Sequence, residues 1–196
     1  TVFPEKSNGL WQSVLSFDID QDGDEDYLVG NWGMNSKFKA SQDFPMKMYY
    51  DDFDTNGSFE TIVAIEKNAK YYTTLGLDEL AEQFSGMLKK KFNSYKSFAG
   101  KTLEEVFDPK MLEKGKLFEV HNLKSGYLRN DKGKFTFVPF SNKMQVAPIT
   151  SFLKSNFDSD VKEEVFVAGN YFGVSPYHSR FDGFSGALIK NEKTIF

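Results

Sequence analysis

The chain has 196 residues, with 24 basic and 28 acidic side chains and a formal net charge of −4. This balance argues against nucleic acid or an anionic membrane surface as the partner, because phosphate binding depends on clustered cations. Aromatic residues make up 16% of the sequence, which is typical of chains that build a packed core. Cysteine is absent, which excludes disulfides, thiolate zinc sites and cysteine nucleophiles.

The sequence carries no evident targeting segment. No apolar run approaches the roughly 20 residues of a membrane helix. The first residues lack the basic and apolar regions of a signal peptide, and the sequence does not begin with methionine. We expect the chain to be processed or excised from a longer protein, with any targeting signal upstream.

An acidic pattern occurs three times, at residues 18–29, 52–63 and 156–167. In each copy, positions 1, 3, 5 and 9 carry oxygen-bearing side chains, position 2 is apolar and position 12 is valine. The oxygen-bearing residues are Asp18, Asp20, Asp22 and Asp26, then Asp52, Asp54, Asn56 and Glu60, then Asn156, Asp158, Asp160 and Glu164. Because chance rarely aligns polar and apolar positions together, the pattern indicates a repeated structural unit. Residues 18–26, 52–60 and 156–164 are hereafter the first, second and third loops.

Short β-branched and aromatic runs flank these loops and predict buried strands. The runs lie at residues 27–32, 46–50, 61–65, 148–153 and 165–168. A hairpin is also predicted, with strands at 125–129 and 134–138 around the turn Asn130-Asp131-Lys132-Gly133.

Residues 76–114 depart from this pattern and predict a helical insertion in a β protein. Asp78 is predicted to cap a first helix, and Thr102 with Glu105 fits a capping box for a second. We expect the apolar face of the first helix to pack on the β core. Apolar residues recur there at helical spacing, at Leu77, Leu80, Ala81, Phe84, Leu88 and Phe92.

The acidic loops predict a cation site. Six acidic residues fall within nine positions from Asp18 to Asp26, and unpaired carboxylates in contact repel by about 1 kcal/mol per pair even in water. Oxygen ligands suit a hard cation, and a flexible ring of carboxylates suits Ca²⁺ better than the strictly octahedral Mg²⁺. Gly23 and Gly57 stand at position 6, where a tight turn around an ion needs a residue without a Cβ.

Two other interpretations of the loops were weighed. An EF-hand requires glutamate at position 12 and helices on both sides, but position 12 is Val29 or Val63 and the predicted flanks are strands. The EF-hand is therefore excluded, whereas acidic turns without metal remain the alternative. The third loop has Asn156 at position 1, Val161 at position 6 and Lys162 at position 7, and we expect it to be a connection without metal.

The motif D-x-D-x-[DN]-G-x-x-[DE] between two strands resembles the calcium-binding loop of FG-GAP/VCBS repeats, which form the blades of integrin-α-like β-propellers. Residues 128–135 look like the hairpin of that family, and 30–35 and 169–173 look like its G-N-x-G segment. With the helical insertion, the order of segments is similar to the C-terminal part of large VCBS-repeat proteins of Bacteroidetes.

This resemblance implies a mainly β fold of antiparallel, propeller-like blades with a helical insertion at about 76–114. At roughly 40–45 residues per blade, the chain holds three or four, fewer than a closed propeller usually has. We therefore expect residues 1–196 to form a single propeller-like domain or a propeller segment in contact with further blades of a longer protein; an open array and a propeller completed by another chain are the alternatives. The implied Ca²⁺ ligands are Asp18, Asp20, Asp22, Asp26 and the Asp24 carbonyl, and Asp52, Asp54, Asn56, Glu60 and the Ser58 carbonyl.

The resemblance also implies a function. We expect a calcium-binding, non-catalytic scaffold or binding module that is extracellular, at the cell surface or periplasmic, with a protein or glycan ligand. The candidate ligand-facing residues lie at the two G-N segments, where aromatic rings and amides combine: Asn31, Trp32, Asn35, Asn170 and Tyr171. The alternative is that such rings fill the space between packed sheets.

The competing function is an accessory or catalytic part of a secreted polysaccharide- or lipid-processing hydrolase. Ser175 or Ser179, His178 and Asp182 could form a triad on paper, but no nucleophile-elbow sequence supports it. The 28 acidic residues leave carboxylate pairs for glycoside hydrolysis open. The densest acids are already explained by a cation, so no catalytic residue is predicted.

Overall fold

The computed structural model describes residues 4–84, 86–158, 160, 162–174, 180–190 and 193–195. These residues form a mainly β structure in which the strand pairs are antiparallel, so the predicted fold class is confirmed at this level. The three described sheets are open, with four strands each. Among the described residues, no helix combines the length and apolar character needed to cross a membrane.

The strands and helices follow the sequence in one order. The strands are β1 (Ser13–Ser16), β2 (Tyr27–Gly30), β3 (Met46–Asp51), β4 (Glu60–Lys67), β5 (Lys70–Thr73), β6 (Lys116–Val120), β7 (Gly126–Asp131), β8 (Lys134–Pro139), β9 (Ile149–Ser155), β10 (Glu164–Gly169), β11 (Ala187–Lys190) and β12 (Lys193–Ile195). The helices are α1 (Leu77–Gln83), α2 (Met87–Lys91), α3 (Tyr95–Phe98), α4 (Leu103–Val106) and α5 (Pro109–Lys114), with a 3-10 helix at Asn142–Gln145.

The chain divides into two compact units. The first is built from the segments before Phe38 and after His121, and the second is Phe38–His121. The first unit contains two sheets, with strand orders β1-β2-β7-β8 and β12-β11-β10-β9. Sheet β1-β2-β7-β8 is therefore made from two pieces of chain that are far apart in sequence.

The core of the first unit lies between its two sheets. Leu28 of β2, Tyr127 of β7, and Val165 and Val167 of β10 are buried in one apolar cluster. Each lies on a strand that the apolar runs or the hairpin pattern predicted. The β7–β8 hairpin turns at Lys132 and Gly133, which have φ of 51° and 88°. A two-residue type I′ turn requires positive φ at both positions.

The second unit packs helices on sheet β5-β4-β3-β6. Ile62 and Ala64 of β4 are fully buried against the helical segment. The buried helical residues are Leu77, Leu80, Ala81, Phe84, Leu88, Phe92, Leu103, Val106, Phe107 and Leu112. The apolar periodicity at 77–92 thus marks a face that packs on a sheet.

Two local predictions in the helical segment have different outcomes. The capping box is confirmed: the Thr102 side chain accepts from the Glu105 amide, and the Glu105 side chain accepts from the Thr102 amide. Asp78 as the cap of α1 is wrong, because the N-cap is Gly76 and Asp78 lies inside the first turn. An acidic residue there still favours the helix through the macrodipole. The periodic run is also split, since Gly86 has a φ of 79° between α1 and α2.

We expect Phe84→Ala to lower the free energy of unfolding by about 3–5 kcal/mol, the usual cost of removing a buried phenylalanine ring. Phe84 is fully buried, and its ring centroid lies 5.0 Å from that of Phe107. Urea unfolding of the purified chain would measure the change. Met87→Ala is the matched control, because Met87 lies in the same segment and is 37% exposed. Equal losses in the two variants would contradict the packing described here.

Candidate metal-binding loops

Each acidic loop joins two neighbouring antiparallel strands. The first loop joins β1 to β2, the second joins β3 to β4, and the third joins β9 to β10. The three copies of the sequence pattern therefore occupy the same kind of position, one in each sheet.

One hydrogen bond closes the base of every loop. The amide of position 2 donates to the carboxylate of position 9 at 2.9–3.0 Å in all three copies. The accepting residues are almost fully buried, with exposures of 0% for Asp26, 3% for Glu60 and 0% for Glu164. A buried carboxylate must find hydrogen-bond donors to offset its lost hydration, and this amide is one. Position 9 therefore holds the start of each loop against the strand that follows it.

A second set of hydrogen bonds folds the first and second loops alike. The position-1 carboxylates, Asp18 and Asp52, each accept from the amides of positions 5 and 6, at 2.9–3.2 Å. Asp22 and Asn56 at position 5 accept from the position-7 amide, at 2.9 and 2.7 Å. Side chains of this type commonly hold turns through such bonds.

The backbone needs left-handed conformations at two places in these loops. Position 6 has a φ of 93° at Gly23 and 89° at Gly57, which confirms the predicted reason for glycine there. Position 4 also has positive φ, 64° at Gln21 and 58° at Thr55. The sequence pattern did not indicate this second constraint, because neither residue is one that favours it.

The loops bring carboxylates together. Oxygen atoms of Asp18, Asp20 and Asp22 lie within 4.8 Å of one another, as do those of Asp52, Asp54 and Glu60. These six are predicted ligands. Asp26 differs from its counterpart Glu60, because both of its oxygens accept backbone amides: Oδ2 from Ile19 at 3.0 Å and Oδ1 from Asn130 at 2.7 Å.

The remaining predicted ligands lie on the same loops. The Asp24 side chain is turned toward the hairpin, where its Oδ2 accepts from the Lys132 amide at 3.1 Å. Asp24 was predicted to contribute its backbone carbonyl, for which the side chain is not needed. Asn56 and Ser58 lie in the exposed part of the second loop.

One oxygen in each of these two loops has no hydrogen-bond partner. Oδ1 of Asp20 and Oδ1 of Asp54 are buried, and neither has a hydrogen-bond partner among the described residues. Both belong to position 3, inside the carboxylate groups. Burial, and after it the charges of Asp22 and Asp26, raises the pKa of Asp20 above its ordinary value. Because buried polar atoms are normally paired, these two oxygens fit a bound cation.

The third loop also gathers carboxylates, from Asp158, Asp160 and Glu164. Lys162, which the sequence placed beside them, turns away and donates to the Gln21 side chain at 2.7 Å. Val161 lies outside the described residues. The cation that reaches these carboxylates is Lys190, 30 residues after Asp160 in the chain, and no residue near the loop in sequence indicates this contact.

The first G-N segment is part of the interior. Asn31 is fully buried, and its amide nitrogen donates to the carbonyls of Asn122 at 2.9 Å and Lys124 at 3.3 Å. Its backbone amide donates to the Ser125 hydroxyl at 2.9 Å. A Cβ at Gly30 would lie 2.1 Å from the Ile149 carbonyl oxygen, so the glycine permits close approach. This geometry gives Asn31 a structural role and leaves its amide no free face for a ligand.

The second G-N segment is built in a similar way. The Asn170 side chain exchanges two hydrogen bonds with the Phe184 backbone, both at 2.9 Å. Gly169 precedes it, and a Cβ there would lie 2.1 Å from the Pro148 carbonyl oxygen. Asn35 is different, because it is exposed and donates to the Val146 carbonyl at 3.3 Å.

Two of the predicted ligand-facing aromatic residues, Trp32 and Tyr171, are in contact. The centroids of Trp32 and Tyr171 are 5.5 Å apart in an edge-on arrangement, and Trp32 lies 5.3 Å from Phe181. Phe181 is buried, whereas Tyr171 is 38% exposed. The cluster thus has a base in the core and one ring at the surface.

Of the triad considered in the sequence, Ser175, His178 and Ser179 lie outside the described residues, and only Asp182 is described. Asp182 is exposed, and His121 is buried in the other unit at the end of β6.

Comparisons with protein-family models, curated proteins and solved structures found no match to this chain. The resemblance to FG-GAP/VCBS repeats stays a prediction that rests on the loop motif and its flanking segments.

We expect Asn31→Ala to lower the free energy of unfolding by about 1–3 kcal/mol, because the change removes the partners of buried polar groups. Asn35→Ala, at an exposed amide with a single long hydrogen bond, should have a much smaller effect. Chemical unfolding of both variants would measure the difference. Unchanged stability in Asn31→Ala would contradict the structural role of this amide.

Proposed function

We propose that the first and second loops bind Ca²⁺ and that the chain is a calcium-stabilised, non-catalytic binding module of the FG-GAP/VCBS type. The observation that carries this proposal is the unpaired, buried Oδ1 of Asp20 and of Asp54. The same atom lacks a partner at the same position of two loops that share one hydrogen-bond scheme.

The donor set supports calcium over other metals. The grouped side chains offer carboxylate oxygens alone, which favours a hard cation over zinc or copper. Ca²⁺ accepts six to eight oxygen ligands in flexible geometry, so backbone carbonyls of Asp24 and Ser58 and water would complete its shell. When bound, the ion would supply positive charge that offsets the repulsion within each loop.

The hydrogen bonds of the loops also support metal binding. The base hydrogen bond and the position-1 turns hold the carboxylates of the first and second loops close together. A preorganised site loses less conformational freedom on binding.

The sheet architecture supports the propeller-segment interpretation. Blades of β-propellers are four-stranded antiparallel sheets, and the described residues form three such sheets, each with an acidic loop between paired strands. In this proposal, further blades of a longer protein would complete the propeller.

Calcium loops of extracellular modules commonly have dissociation constants of about 10⁻⁴–10⁻³ M. Such loops fill outside a cell and stay largely empty in cytosol. We therefore place the protein outside the cytoplasm, at the cell surface, in the periplasm or secreted, with a protein or glycan ligand.

The calcium proposal predicts two bound ions per chain and a Ca²⁺-dependent melting temperature. A site at 100 times its dissociation constant adds about 2.7 kcal/mol of stability. Asp20→Asn and Asp54→Asn should each remove one ion in isothermal titration and shrink the shift between EDTA and Ca²⁺. Asp43→Asn is the matched control, because Asp43 is an exposed aspartate outside the loops. Superimposable melting curves with and without Ca²⁺ for the unmodified chain would overturn the proposal.

The binding proposal predicts ligand capture without turnover. In a screen of immobilised glycans and surface proteins, Tyr171→Ala should weaken the binding of any hit, because Tyr171 is the exposed ring of the Trp32 cluster. Trp11→Ala is the matched control, since Trp11 is 39% exposed, close to the 38% of Tyr171. Cleavage of a glycosidase or esterase substrate that survives EDTA and is lost on changing one carboxylate outside the loops would favour the hydrolase instead.

A further inference from the structure

The third loop holds a cation that belongs to the protein. The Lys190 ammonium at the end of β11 contacts the carboxylate of Asp158, lies 2.7 Å from Asp160 Oδ2 and lies 3.4 Å from Glu164 Oε1. These three residues are positions 3, 5 and 9 of the third loop. Positions 3 and 9 carry carboxylates in the other two loops as well, and position 5 carries Asp22 in the first and Asn56 in the second.

The pairing of β10 with β11 places the Lys190 ammonium at the third loop. β11 pairs with β10 so that Ile189 lies opposite Val165. One residue further along each strand, Lys190 comes opposite Glu164. Directly opposed side chains of antiparallel strands lie on the same face and within reach of each other.

Glu164 makes the arrangement selective for a cation. It is fully buried, and its Oε1 has no hydrogen-bond partner among the described residues. Its Oε2 accepts from the Phe157 amide at 2.9 Å, which leaves Oε1 to face the ammonium. A buried carboxylate oxygen without hydrogen bonds needs a nearby positive charge.

Lys190 and the two aspartates that it contacts each favour the charged form of the other. Hydrogen bonds to Asp158 and Asp160 raise the pKa of Lys190 above its ordinary value, and the same bonds lower the pKa of both aspartates. All of these groups are therefore charged at neutral pH. An ammonium donates three hydrogen bonds, and the loop offers it three carboxylates.

We propose that the Lys190 ammonium takes the place of a metal ion in the third loop, which makes this loop a metal-independent copy of the other two. Loss of the ammonium would leave three carboxylates uncompensated and open the loop to Ca²⁺. The second consequence rests on the proposed function, whereas the first does not.

Strand pairing explains why the first and second loops have no counterpart of the Lys190 contact among the described residues. In the first loop, Tyr27 of β2 lies opposite Leu128 of β7, so Arg129 occupies the place that matches Lys190. Its guanidinium lies 3.9 Å from Asp131 instead, and the Asn130 amide binds Asp26. In the second loop, β5 pairs with β4 only from Ala64 to Lys67, beyond Glu60.

A stability experiment in EDTA tests the charge compensation alone. Lys190→Met should lower the melting temperature by several degrees more than Lys154→Met. Lys154 is the matched control, since its ion pair with Glu163 lies at the surface of the same sheet. Asp160→Asn should lower the melting temperature of the unmodified chain but raise that of Lys190→Met, because it then removes repulsion. Equal effects of the two lysine changes, or no reversal of sign for Asp160→Asn, would overturn the proposal.

A calcium titration tests the replacement of the metal. The unmodified chain should bind two Ca²⁺ ions and Lys190→Met three, with the third lost again in Lys190→Met/Asp158→Asn. A Lys190→Met chain that binds two ions, like the unmodified chain, would overturn the metal-replacement proposal. An unmodified chain that binds no Ca²⁺ would contradict the proposed function, and the EDTA experiment would then decide the role of Lys190.

If Lys190→Met does not fold, the Lys190→Met/Asp160→Asn variant serves in both experiments, and its failure to fold would count against charge compensation.

Discussion

One hydrogen bond, from the position-2 amide to the position-9 carboxylate, closes the base of all three acidic loops. It ties the start of the loop to a residue at or just before the next strand, so the loop has a fixed place on its sheet. The carboxylates of each loop lie close together, at positions 1, 3 and 5 in the first loop, 1, 3 and 9 in the second, and 3, 5 and 9 in the third. Each loop that this bond closes thus concentrates negative charge.

The negative charge of the loops is compensated in two ways. In the first and second loops, the position-3 carboxylate keeps a buried oxygen without a hydrogen bond, which favours an external cation. In the third, a lysine from a neighbouring strand reaches three carboxylates. An external ion responds to its concentration, whereas a tethered ammonium is always present. Copies of one loop pattern can therefore differ in whether their stability depends on the ion concentration of the medium.

Features that depend on neighbouring residues could be predicted from the sequence. The β-branched and aromatic runs of the strands, the Lys132-Gly133 turn and the Thr102 capping box are of this kind. The break at Gly86 was not predicted, because apolar spacing alone does not register a left-handed residue. Asn31 was predicted to face a ligand, but it is buried and bonds to partners over 90 residues away. The Lys190 contact depends on strand register and could not be derived from the loop that it enters.

The split construction of sheet β1-β2-β7-β8 has a consequence for the order of folding. Its two halves are separated by residues 38–121, which form a unit of their own from continuous chain. During synthesis, the edge of β2 stays unpaired until β7 has left the ribosome, while the intervening unit can already fold. Since contacts of long sequence separation form slowly, this edge of β2 is open to wrong partners in the nascent chain until β7 pairs with it.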